Sequence, residues 1–235
     1  MTPRLAYAAF MLLAAGVFLL VRRCFPPPPQ VAALPRTHRF ILAGAAFVGG
    51  VFGAKLPFLF GVEAGDIAWA WLADGKTITT GLIGAYIAVE IVKLALGIRV
   101  KTGDSFALPL ALAVAVGRWG CFFNGCCFGT ATDLPWGIDF GDGVRRHPTQ
   151  IYESAFYLTL AGVLFLLFQR GWLRGHRLQF ALIAYAIYRF LTEFIRPEPE
   201  YAAGLTYYQW GSAVMAIGLG AQWVWERFNT GEPEK

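Results

Sequence analysis

Apolar positions recur along this chain in seven long runs, each near the ~20 residues a helix needs to cross a bilayer at about 1.5 Å of rise per residue. The runs cover 5–21, 40–60, 79–98, 105–121, 149–168, 178–195 and 207–225. They predict an all-α, polytopic integral membrane protein with seven transmembrane helices, residues 1–235 forming a single domain. Polar or turn-forming residues separate the runs. Pro26-Pro27-Pro28-Pro29 predicts a stiff, extended spacer. Residues 61–78 form a mildly acidic loop whose Trp69 and Trp71 suit a membrane interface, and 128–148 is the longest polar connection. A cleaved signal peptide carries its positive charge ahead of its apolar run. Here Arg22 and Arg23 follow the run, so the first run is expected to remain as a span.

The basic residues alternate from loop to loop. Arg22, Arg23, Arg36 and Arg39 lie between the first two runs, Arg99 and Lys101 after the third, and Arg170, Arg174 and Arg177 after the fifth. The opposite loops carry Glu63, Asp66, Asp74, Asp133, Asp139, Asp142, Glu198 and Glu200, with Arg145, Arg146 and Arg196 as exceptions. The excess of positive charge on cytoplasmic loops predicts a periplasmic N-terminus and a cytoplasmic C-terminus. Loops 61–78 and 128–148 then fall on the periplasmic side. Composition closes off the other classes. With 57% hydrophobic and 15% charged residues and a mean hydropathy of +0.51, the seven runs leave no room for a separate soluble domain. The net charge of +5 belongs to arginines at span ends facing membrane lipids, and no nucleic-acid partner is expected.

One stretch breaks the apolar pattern: Gly117-Arg118-Trp119-Gly120-Cys121-Phe122-Phe123-Asn124-Gly125-Cys126-Cys127-Phe128-Gly129. Arginine inside a span costs roughly 2.5–3.5 kcal/mol on insertion scales, so Arg118 asks for a function. It lies 14 residues beyond Asp104, or roughly 20 Å up the helix, in the outer half of the bilayer. Arg189, Glu193 and Arg196 are spaced i, i+4, i+7 and share one helical face with Tyr185. His147, Gln150 and Glu153 open the fifth run at the same depth. Thr79 and Thr80 open the third, and Lys55 approaches from the second. A shared cavity, open to the outer leaflet, is the economical explanation.

Cys121, Cys126 and Cys127 admit two readings. They can be small, polarizable packing at a tight helix end, or a thiol site that forms a disulfide, relays electrons or helps to bind metal with His147. The spacing C-x4-C-C is not a zinc pattern, so packing is favoured and neither metal nor soluble cofactor is expected.

At these residues the sequence resembles the phosphatidylglycerol:prolipoprotein diacylglyceryl transferases of bacterial inner membranes. Gly117-Arg118-Trp119-Gly120 through Asn124-Gly125 is similar to the family signature. Arg146-His147-Pro148-Thr149-Gln150-Ile151-Tyr152-Glu153 is similar to a second block, Tyr185–Arg189 with Glu193, Phe194 and Arg196 to a third, and Gly81-Leu82-Ile83-Gly84 to the end of a fourth. The resemblance implies transfer of a diacylglyceryl group from phosphatidylglycerol to the cysteine thiol of a prolipoprotein signal peptide. It also implies that Arg118 and Arg189 hold the lipid phosphate, oriented by Glu193 and Arg196, with His147 or Glu153 removing the thiol proton. Asn124, Gly125, Arg146, Gln150, Tyr185, Thr79 and Lys55 would complete the substrate site. Three positions depart from the family: Thr79 stands at its usual histidine, Cys121 at its asparagine and Cys126 at its glutamate. Three rival readings stay open. They are the same phospholipid site with another acceptor, a membrane thiol oxidoreductase using Cys121, Cys126 and Cys127, and a non-enzymatic lipid-binding or transport protein.

Overall fold

The computed structural model describes residues 2–56 and 77–230. Trp69 and Trp71, and most of the 61–78 loop, lie outside the described residues. The chain is mostly helical, with helices α1 (Pro3–Cys24), α2 (Pro29–Ala32), α3 (Arg36–Lys55), α4 (Ile78–Ala95), α5 (Asp104–Phe123), α6 (Thr149–Arg170), α7 (Arg177–Thr192) and α8 (Tyr207–Thr230). Among the described residues, α1, α3, α4, α5, α6 and the segment Arg177–Ile195 are long and apolar enough to cross a membrane. Helix α8 has the length, 24 residues, but is not among these six. The polyproline stretch is not an extended spacer throughout. Pro29 opens the one-turn helix α2, a position where proline's missing N–H costs nothing.

The helices pack in pairs: α1 along α5, α3 along α4, α5 along α6 and α7 along α8. The first apolar core lies where α5, α6 and α7 meet, around Ala107, Ala111, Ala115, Tyr157, Leu160, Leu164, Leu182, Tyr185 and Ala186. Its alanine side lets α5 approach closely, while Leu12, Phe40 and Leu94 on the outer helices stay exposed, as a lipid-facing surface requires. Packing of α3 on α4 is closer still. A Cβ on Gly49 would come 2.5 Å from the carbonyl oxygen of Gly84, so a side chain there would force the helices apart.

Among the described residues, two small hairpins decorate the helix ends. The connection 128–148 carries β1 (Ile138–Asp139) paired antiparallel with β2 (Arg145–Arg146). Before α8, β3 (Glu200–Ala202) pairs with β4 (Leu205–Thr206). The helix at 177–195 does not continue as a regular α-helix to its end. It stops at Thr192 and a 3-10 turn, Glu193–Ile195, takes over. That tightening leaves Arg196 free to turn toward α6.

Candidate functional site

Arg118 reaches across from α5 to α6, where its Nη2 donates to Glu153 Oε1 at 2.5 Å. Arg196 donates to the other oxygen of the same carboxylate, Oε2, at 3.1 Å. Glu153 is fully buried and bridges two guanidiniums. On α7, Arg189 pairs with Glu193 at 2.7 Å, and its guanidinium lies 5.1 Å from the ring centre of Tyr208. Glu193 also accepts a 2.9 Å hydrogen bond from the hydroxyl of Thr206. Tyr185 lies within electrostatic range of Glu153, Arg189 and Arg118, and its hydroxyl is 3.3 Å from that of Thr79 on α4. Five helices and the 3-10 turn therefore deliver these groups to one cluster. Arg118 and Arg189 share a compartment, each against a carboxylate.

The charges in the cluster do not cancel. Arg118, Arg189 and Arg196 carry +3 and Glu153 and Glu193 carry −2, leaving +1. The donors are not all used either: Arg118 Nε, Arg189 Nη1 and Arg196 Nε are buried without a hydrogen-bond partner. A buried guanidinium N–H left unpaired costs free energy, on the order of 1–3 kcal/mol each. An anion with several acceptor oxygens would satisfy both the charge and the donors.

A family model described as prolipoprotein diacylglyceryl transferase matches residues 5–225. The chain belongs to the prolipoprotein diacylglyceryl transferase family. Among its relatives are proteins named phosphatidylglycerol–prolipoprotein diacylglyceryl transferase. The one from Clostridium tetani is 32% identical over 175 residues, which is 69% of this chain and 70% of the relative. That from Clostridioides difficile is 37% identical over 145 residues, 61% of this chain and 58% of the relative. The one from Bordetella parapertussis is 33% identical over 186 residues, 72% and 71%.

Several residues singled out in this member of the transferase family do other work than the pattern suggested. Arg146 is committed to Asp142, 2.6 Å away, and stacks over the Phe128 ring, so it stays on the β1–β2 hairpin. The Asp142 carboxyl is held below the usual carboxylate range, first by the Arg146 hydrogen bonds and then by the Val144 amide. Gln150 is buried and donates to the carbonyl of Cys126 at 2.5 Å, while the Thr149 hydroxyl donates to that of Cys127 at 2.6 Å. Both residues thus clamp the cysteine turn onto the start of α6. His147 Nδ1 lies 3.3 Å from the Tyr152 hydroxyl, and its carbonyl accepts from the Gly129 amide at 2.8 Å. Asn124 caps α5 and Gly125 follows in the left-handed region, φ 66°. Lys55 is buried at the last residue of α3.

Two hollows lie beside the cluster rather than in it. A hollow of about 630 Å³ lies over the β1–β2 hairpin, lined by Pro135, Trp136, Ile138, Ile151 and Tyr152. An apolar groove of about 230 Å³ runs between α7 and α8 past Ala186, Phe190, Leu191 and Ala213. Neither is lined by an arginine.

Sequence reasoning missed the support from α8. Thr206 and Gln209 form a reciprocal cap, the Thr206 amide donating to Gln209 Oε1 at 2.9 Å and the Gln209 amide to Thr206 Oγ1 at 3.2 Å. The Thr-x-x-Gln spacing ahead of the last apolar run is a readable capping signal. Its consequence, a hydroxyl aimed at Glu193, depends on how α8 packs on α7. The thiols have also converged. The Sγ atoms of Cys121, Cys126 and Cys127 lie within 4.8 Å of one another, all free, and Arg118 Nη1 is 3.9 Å from that of Cys121. Hydrogen bonds from Cys121 and Cys126, and next the guanidiniums of Arg118 and Arg196, pull the Cys127 thiol below the ordinary thiol range.

Proposed function

We propose that this chain transfers the diacylglyceryl group of phosphatidylglycerol to the cysteine thiol of a lipoprotein precursor, at the outer leaflet of a bacterial inner membrane. The carrying observation is the buried cluster with one excess positive charge and three unpartnered guanidinium donors. A phosphodiester brings one negative charge and acceptor oxygens in the planar geometry that arginine matches. Arg118 and Arg189 hold that phosphate, while Glu153 and Glu193 fix the orientation of the guanidiniums.

The reaction breaks the bond between the lipid's glyceryl carbon and its phosphate oxygen. As it breaks, charge grows on the departing glycerol phosphate, and cations fixed in a dry site stabilise that charge more than they stabilise the substrate. His147 takes the proton of the acceptor thiol, and the thiolate attacks the same carbon. The apolar groove between α7 and α8, beside Arg189 in sequence, suits an acyl chain. Helix α8 is read as a seventh span, with the N-terminus periplasmic, the C-terminus cytoplasmic and residues 1–235 as one domain whose loops 61–78 and 128–148 face the periplasm. The outer position of the cluster rests on that orientation.

The test uses the purified chain in detergent with phosphatidylglycerol and a synthetic precursor peptide. Mass spectrometry is expected to find a diacylglyceryl thioether on the peptide cysteine. It should be lost with Arg118→Ala and with Arg189→Ala. A wild-type preparation that leaves the peptide unmodified, or an Arg118→Ala variant that still lipidates it, rejects the reading.

A further inference from the structure

The thiol trio is the best-formed cluster that phosphate binding does not use. Its three sulfurs come from a single tight turn. Cys121 is on the last turn of α5, Gly125 reverses the chain, and Cys127 itself sits at φ 63°, a left-handed conformation that a residue with a side chain rarely adopts. The buried side chains of Gln150 and Thr149 hold that conformation by capturing the carbonyls of Cys126 and Cys127. The strain is over-determined by its surroundings, which is the mark of a positioned group rather than of loose packing.

The sulfur positions can be compared with a metal's demands. A tetrahedral zinc bond to sulfur is about 2.3 Å, which sets the sulfur–sulfur edge at about 3.8 Å. Cys126 and Cys127 already stand 3.8 Å apart, and the three sulfurs are mutually within 4.8 Å, so closing the set takes less than about 1 Å. Three thiolates with one divalent ion carry a net charge of −1, and the Arg118 guanidinium beside Cys121 faces that charge. Cys127 is exposed, so a fourth ligand can approach from outside.

We propose that Cys121, Cys126 and Cys127 form a three-thiolate site for one thiophilic divalent ion of the zinc class, whose open position takes the acceptor thiol. The catalytic half rests on the proposed transferase reading; the metal site does not. The acceptor thiol displaces water from the ion, its proton passing to His147 and on to solvent. The metal-held thiolate then attacks the glyceryl carbon. The S–C bond forms as the C–O bond breaks, and the electron pair of that bond leaves on the phosphate oxygen. The thioether product is uncharged and a weak ligand, so it departs and water returns. This places the metal at the position where the family usually carries asparagine and glutamate.

The experiment uses the wild-type chain purified in detergent with zinc in the growth medium. Elemental analysis is expected to give about one zinc per chain, and exchange with cobalt(II) a thiolate-to-metal charge-transfer band. Alkylation mapped by mass spectrometry should modify Cys24 at once and the trio only after chelation. Cys126→Ser should lose the ion, and Cys24→Ser should keep it. Equal alkylation of the trio with and without chelator, a disulfide within the trio, or zinc retained in Cys126→Ser would overturn the site. Thioether formation that falls at least tenfold on chelation and returns with zinc supports the catalytic half, and unchanged formation after removal rejects that half alone. A chain that holds zinc as expected yet never lipidates the peptide retains the metal site and rejects the transferase reading.

Discussion

Helix α5 carries a buried ion pair at each end, and the two are built differently. At its start, Asp104 accepts the amides of Gly175 and Arg177 at 2.6 and 3.0 Å, with the Arg177 guanidinium 3.8 Å away. That guanidinium donates to the carbonyls of Trp172 and Leu167 and lies 4.0 Å from the centre of the Phe168 ring. One cation meets one anion, and Arg177 has no buried nitrogen without a partner. At the other end, Arg118 joins a set of three cations and two anions in which each arginine keeps one unpartnered nitrogen. Both pairs are buried. The first is complete within the chain and locks the α6–α7 turn onto α5. The second is left with one excess positive charge and three unpartnered donors, which the proposed phosphate would complete. Burial of a charge therefore does not identify a binding site; an unfinished charge and hydrogen-bond count does.

Breaking each pair separates the two roles. Arg118→Ala removes a donor of the proposed phosphate site and is expected to lower transfer by about 10³-fold, the upper range for deleting one stabilising donor. Arg118→Lys keeps the charge but loses the planar fork, so a loss of about 10²-fold is expected. Glu153 stays paired with Arg196 in both variants, so their melting temperatures should move little. Initial rates of peptide lipidation at saturating phospholipid measure the effect, and wild-type rates in either variant would remove Arg118 from the site.

Asp104→Ala should do the opposite. It strands Arg177 and two backbone amides in a buried position, and loss of one partner from such a pair costs about 3–5 kcal/mol. The expected outcome is a lower denaturation midpoint in detergent, with the rate per folded molecule within about threefold of wild type. A catalytic defect without a stability defect would mean that the two ends of α5 are coupled.

Gly129→Ala probes how the thiol turn is held against the cluster. An added Cβ would come 2.5 Å from the Ile195 carbonyl oxygen, 2.8 Å from His147 Cβ and 2.9 Å from Thr149 Cγ2. Two of these contacts are to backbone or the root of a side chain, so the turn must shift away from the 3-10 segment. Overpacking of this kind costs about 1–3 kcal/mol, and a rate loss of about tenfold should accompany it. An unchanged rate would show that the register between the thiol turn and Arg196 does not matter.

How much of this was readable in advance differs between the two regions. The apolar runs located the helices because burial in lipid leaves a length and hydropathy signature that needs no tertiary information. Arg118 stood out for the same reason, as an expensive residue in an apolar run. Pairing could not be read. The i, i+4, i+7 spacing of Arg189, Glu193 and Arg196 implies one helical face, yet the helix tightens at Glu193 and Arg196 turns to Glu153 on α6. Which carboxylate an arginine meets depends on helix packing, which spacing along one helix does not encode. Gln150 looked like a substrate ligand by its place in the motif, and the fold uses it to hold the cysteine turn. The thiols illustrate the same limit, since C-x4-C-C matches no metal pattern until the left-handed Cys127 folds its sulfur back.

The smallest effect is expected at Arg146, where motif and geometry disagree. Motif position places it in the substrate site, but its guanidinium is engaged with Asp142 at 2.6 Å and with the face of Phe128. Arg146→Ala should change lipidation rates less than twofold. It should instead act on the hairpin, through pH. The Asp142 carboxyl is lowered in the folded chain by the Arg146 hydrogen bonds. Its contribution to hairpin stability is therefore full above the ordinary carboxylate value and drains as pH falls through the lowered one. In the variant the pairing is gone and that acid-side loss should shrink to the part that the Val144 amide sustains. Amide exchange of residues 138–146 between neutral and acidic pH measures it. A rate loss of tenfold or more with unchanged exchange would place Arg146 back with Arg118 and make the β1–β2 hairpin part of the proposed anion site.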